Sequence, residues 1–126
     1  MRYLRQFNES KKRETISNDI EEILLPIKDL GLRINYQIQD IYIVVYISTK
    51  IHTDAGKYEF SLHEIRDEVN HLVGKMYDNG YPLSKSKYRQ VHNGHWKTMW
   101  EGGDIYDIFP EKDIDSIDSF ELKFKL

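Results

Sequence analysis

The sequence predicts an α+β fold, a two-layer sandwich with two helices on one face of an antiparallel sheet. Three observations carry this expectation. Two stretches place apolar residues at helical spacing, several others alternate them at period two or are β-branched throughout, and short turn signals join the latter into hairpins. The expected order is α-β-β-α-β-β-β. It becomes ferredoxin-like, βαββαβ, if residues 2–7 pair as a first strand.

The first helix is expected over about 17–30. Asn18 followed by Glu21 has the form of a capping box, Ile20, Ile23, Leu24, Ile27 and Leu30 recur at helical spacing, and Gly31 suits a helix C-terminus. Pro26 lies too deep for a first-turn proline, so it should kink or split this helix. Next, Leu32, Ile34, Tyr36 and Ile38 alternate with polar residues, and a short connection leads to the β-branched run Ile41 to Ile51. Those two stretches should form a hairpin, with the second strand interior because "IYIVV" is apolar on both faces. After a turn at "TDAGK", Ser61 can cap a helix of about 61–79 whose stripe is Leu62, Ile65, Val69, Leu72, Val73 and Met76. Pro82 bars further helix. A second hairpin is expected around Asn93-Gly94 as a two-residue loop, and "SFELKFKL" alternates as a half-buried last strand.

At 126 residues with 40% hydrophobic content, the chain can bury one core, and its expected organisation is a leader and linker over 1–13 followed by one α+β domain over 14–126. No cysteine is present, which excludes disulfides, zinc–thiolate sites, iron–sulfur clusters and thiol nucleophiles. The longest apolar run, Ile41 to Ile47, is far shorter than a spanning helix needs, so no membrane contact is expected. Arg2 and Arg5 are not followed by the apolar stretch of a secretory signal. A formal charge of −3 argues against sequence-independent nucleic-acid binding.

Patterns that would carry catalysis are missing: no glycine-rich phosphate loop, no G-x-S-x-G elbow and no dinucleotide fingerprint. The expectation is a non-enzymatic protein without cofactor or metal. His63, Asp67 and His71 fall at i, i+4 and i+8, but Asp67 stands where H-E-x-x-H needs its second histidine, and all three point away from the apolar stripe. His92 and His95 would face each other across the two-residue turn, with no further ligand to name. Asp113, Asp115 and Asp118 suggest a calcium loop, yet Ile117 stands where the pattern needs an acid or amide.

The most distinctive stretch is the second hairpin. A two-residue loop puts Lys87, Arg89, Val91, Trp96, Thr98 and Trp100 on one face. Tryptophans capping a small core beneath cationic side chains account for that composition most simply. A protein-binding surface formed by Lys87, Arg89, Trp96 and Trp100 comes next, and a stacking platform for single-stranded nucleic acid last.

The opening "MRYLRQFNES", together with "DIEEILLPIKDLGLRINYQI" and "DEVNHLVGKMYDNGYPLSKSKY", resembles the layout of small proteins encoded by large tailed bacteriophages. The leader is also similar to capsid-targeting peptides of internal head proteins, with Arg2, Tyr3, Phe7 and Glu9 matching a basic, aromatic and glutamate-ended outline; Phe7 stands where those peptides have leucine or isoleucine. The resemblance implies an accessory protein acting by protein contacts, associated with the virion or head, or alternatively an early protein that inhibits a host enzyme or antiviral defence system. Its expected partner is a phage structural or host protein, and its expected location the host cytoplasm or the virion.

Overall fold

The computed structural model describes residues 2–49, 59–102 and 107–126, with side chains described from residue 11 onward. Helices α1 (Arg2–Ile23) and α2 (Leu25–Asp29) are followed by strands β1 (Leu32–Ile38) and β2 (Tyr42–Thr49). Helix α3 (Leu62–Asp78) and strands β3 (Leu83–Gln90), β4 (Trp96–Trp100) and β5 (Ile117–Lys125) complete the described elements. The strands form one antiparallel sheet in the order β1-β2-β5-β3-β4, with the helices packed on one face. This is the predicted α+β sandwich with an additional short helix.

The start of α1 departs from the sequence reading. The helix begins at Arg2 instead of about residue 17 and runs through Asn18 and the basic "KKR" expected to form a linker. No proline or glycine precedes Pro26, and the intervening Arg, Gln, Glu and Lys residues all favour helix, so Asn18 has no broken chain to cap. The stretch 2–7 is therefore helical, and the ferredoxin-like order that a strand there would create does not arise. The side chains of Arg2, Tyr3, Phe7 and Glu9, on which the leader resemblance rests, lie outside the described residues.

Pro26 splits the helix as expected. Regular α-helix stops at Ile23, Leu24 takes φ −92° and ψ 3°, and α2 restarts with the proline in its first turn, where a missing N–H costs nothing. The break keeps both apolar runs facing inward, since Ile16, Ile20, Leu24 and Ile27 are all buried. Gly31, at φ 91°, then turns the chain into β1.

Helix α3 begins at Ser61, the cap foreseen, and the cap is completed as a capping box: the Ser61 N–H donates to the Glu64 carboxylate at 2.8 Å. All six residues of its predicted stripe are fully buried. They meet Ile43, Val45 and Ile47 of β2 and Phe120, Leu122 and Phe124 of β5 in one core. The sequence reading correctly makes β2 interior, while the C-terminal strand β5 occupies the centre of the sheet. The predicted turn at "TDAGK" lies outside the described residues.

The segment before β5 contributes to this core. Ile108 and Phe109 are buried, and Phe109 stacks on Phe120 with ring centroids 5.9 Å apart. Two polar clusters hold the segment against α3. In one, Asp107 accepts hydrogen bonds from Asn70, the Phe109 N–H and Arg66. In the other, Asp113 accepts the backbone N–H of His63 at 3.0 Å.

Candidate binding face of the sheet

Side chains alternate across a strand, so covering one face of the sheet with helices leaves the other open. Among the described residues no helix lies over that second face. The strand registers arrange its side chains in rows. Arg33, Ser48, Ser119, Arg89 and Trp96 form one row from β1 to β4; Asn35, Tyr46, Glu121, Lys87 and Thr98 form the next; Gln37, Val44, Lys123 and Lys85 form a third. Tyr42 and Lys125 pair beyond them.

Trp96 anchors one end. Its side chain is 41% exposed, with the Lys87 ammonium 5.0 Å and the Arg89 guanidinium 5.5 Å from the ring centroid. Both cations are held from below by the central strand. Lys87 pairs with Glu121 at 3.0 Å, while Arg89 donates through Nε to Asp118 at 3.0 Å and through Nη2 to the Ser119 hydroxyl at 3.2 Å. These two bonds occupy only part of a guanidinium that has five N–H donors. An open groove of ≈ 490 Å³ runs from Trp96 across the sheet, lined by Ser119, Tyr46, Ser48, Asn35 and Gln37 among others. Burial and the adjacent Glu121 carboxylate, to which the phenol donates a hydrogen bond, push Tyr46 above its ordinary range.

Of the four predicted binding residues, Lys87, Arg89 and Trp96 come together and Trp100 does not. The connection between β3 and β4 spans residues 91–95 instead of two, with the N–H groups of Asn93 and Gly94 both donating to the Gln90 carbonyl. Arg89 therefore opposes Trp96, a register shift of two that preserves which residues share a face. It also moves His92 and His95 into the loop, where they do not form the opposed pair expected from a two-residue turn. A bulge then changes the facing: Lys87 opposes Thr98 but Ser86 opposes Trp100, leaving Met99 as the extra residue. Ser86 is fully buried, and both Met99 and Trp100 pack against the core.

The open face carries an excess of positive charge. On the open face stand Arg33, Lys85, Lys87, Arg89, Lys123 and Lys125, against the carboxylates of Asp118 and Glu121. The helical layer is mixed, with exposed acids such as Glu21, Glu22, Glu64, Asp67 and Asp78 interspersed with Lys11, Lys12, Arg13, Lys28 and Lys75. The chain's net charge of −3 sums this basic face with the acids of the helical layer and of the loops, such as Glu101, Glu111 and Asp115. A linear count of charges misses this basic face, because the cations come from three strands, β1, β3 and β5, that are distant in sequence.

The remaining candidates do not assemble into one site. Nε2 of His63 lies 3.2 Å from the Pro110 carbonyl, whereas Asp67 and His71 together line a different depression with Glu22 and Glu68. Asp113 serves α3, Asp118 serves Arg89, and Asp115 offers its backbone carbonyl to Gln90. Among the described residues no group of three His, Asp or Glu side chains is arranged to hold a metal ion, and no helix is long and apolar enough to cross a membrane.

Comparison with protein-family models, with curated proteins and with solved structures finds no match to this chain.

Proposed function

We propose that this chain is a non-enzymatic binding protein that holds an anionic macromolecule on the open face of its sheet. The observation that carries this reading is Trp96 with its exposed ring beside Lys87 and Arg89, at the mouth of a polar groove. An aromatic surface next to cations gives a ligand both apolar contact area and charge complementarity. The face is also preorganised, since Glu121, Asp118 and Ser119 hold the two cations in place.

A protein partner is the second reading, favoured by the Trp96–Arg89 contact, because tryptophan and arginine dominate binding hot spots. An acidic segment of a phage structural or host protein would meet the same cations. The bacteriophage setting is supported by the sequence resemblance described above.

Titration of the ¹⁵N-labelled protein with heparin, a sulfated polyanion, at low ionic strength tests the surface. The Trp96 indole N–H and the amides of 85–89, 96–98 and 119–123 should shift together. Shifts confined to α1 and α3, or none at all, would refute it.

A further inference from the structure

We infer that the anionic macromolecule is single-stranded nucleic acid, with a base stacked on Trp96 and backbone phosphate held between Lys85 and Lys123. This rests on the binding-face reading above and names its ligand.

Lys85 and Lys123 are directly opposed on neighbouring strands. Like charges at opposed positions repel, and sheets normally place opposite charges there, as this one does at Lys87 and Glu121. Among the described residues, no carboxylate lies within ion-pair distance of Lys85, Lys123 or Lys125. Lys123 instead lies over the Tyr42 ring, 4.1 Å from its centroid. A phosphate seated between Lys85 and Lys123 would supply the missing counter-charge. The same face thus has a region whose cations are internally paired, around Trp96, and a region whose cations are not.

The remaining chemistry favours a nucleic acid over an acidic peptide. Cations alone would satisfy carboxylates. Here they flank a groove offering the amides of Asn35 and Gln37, the hydroxyls of Ser48 and Ser119, and the Tyr46 phenol. Such donors and acceptors match the polar edges of bases, while the exposed indole matches their faces. A duplex keeps its base faces stacked away from an exposed indole, which favours a single strand as the ligand.

Fluorescence anisotropy with end-labelled oligothymidylate and oligouridylate of about 12 nucleotides tests this, beside a duplex of equal length. Both single strands, or the RNA alone, should bind more tightly than the duplex. Trp96→Ala should weaken binding on the order of ten-fold and Trp96→Phe much less, since phenylalanine still stacks. Lys85→Ala with Lys123→Ala should flatten the salt dependence, by roughly 0.7 in the log–log slope for each phosphate no longer neutralised, without lowering the melting temperature. Lys28→Ala, on the helical layer, should leave binding unchanged. Equal binding of the duplex, or indifference to Trp96→Ala, would overturn the inference. Binding of heparin and polyglutamate without either oligonucleotide would overturn it too, but leave the binding face standing; binding of none of these ligands would remove both.

Discussion

Trp96 and Trp100 lie four residues apart on one strand yet face different layers, because the bulge at Met99 sets Trp96 opposite Arg89 on the open face and Trp100 opposite buried Ser86. The separation assigns them different roles. Trp96 presents an exposed ring, and Trp100 closes one edge of the core.

Acrylamide quenching of single-tryptophan variants checks this division. With Trp100→Phe, the remaining Trp96 emission should be red-shifted and readily quenched; with Trp96→Phe, the Trp100 emission should be bluer and better protected. Trp100→Ala should cost on the order of 1–3 kcal/mol of stability, and Trp96→Ala about 0.5 kcal/mol or less. Equal quenching of the two would contradict the bulge.

Acid should loosen the segment before β5. Burial alone would raise the Asp107 pKa, but the hydrogen bonds from Asn70, the Phe109 N–H and Arg66 outweigh it and hold the carboxyl below its ordinary range. Asp113 behaves alike, with the His63 N–H and Ser61 hydroxyl outweighing its burial. A carboxyl depressed in the folded state binds its proton more readily when unfolded, so its stabilisation is fully present above the unfolded value of roughly 4 and is lost as pH falls through the folded one. Asp113→Ala should lower stability by about 1 kcal/mol at neutral pH, the size of a missing helix cap. That difference should shrink toward zero on titration to about pH 2, and a difference independent of pH would count against the assignment.

Replacing one of two opposed lysines with an acid should strengthen the sheet. Lys85→Glu converts the repulsion with Lys123 into attraction, and urea denaturation should show a gain of roughly 0.2–1 kcal/mol. A decrease would mean that another group already satisfies Lys85.

Ser116 is the non-glycine residue with positive φ among those described, at 57°, and its carbonyl accepts the Val91 N–H at 2.8 Å. A side chain in this conformation costs roughly 1–2 kcal/mol relative to glycine, partly offset by the greater freedom glycine has when unfolded. Ser116→Gly should therefore raise the thermal midpoint slightly, whereas Ser116→Val should lower it. Calorimetry on the pair gives both signs.

Much of the architecture is legible in the sequence because it is written locally. The α3 stripe with its Ser61 cap, the alternation of Leu32 to Ile38, the closing strand and the break at Pro26 each depend on residues a few positions apart. The start of α1 is misread because Asn18 carries a real capping preference, but a cap acts only where the preceding chain leaves the helix, and nothing before Pro26 makes it leave. Lys87, Arg89 and Trp96 are recognisable as one group because a register shift of two leaves face parity unchanged. Trp100 drops out of that group because a single extra residue reverses parity, and no turn signal announces it.

By itself the sequence determined most of the helix and strand segments, the start of α1 excepted, which side of each is apolar, and that one sheet face would carry tryptophan and cations. Only the tertiary structure decided that the cations of β1, β3 and β5 share that face and that Lys85 opposes Lys123. The reason is physical: alternation within a strand is a local property of the chain, whereas strand order and register come from burying Phe120, Leu122 and Phe124 beneath the helices, and those determine which distant charges become neighbours.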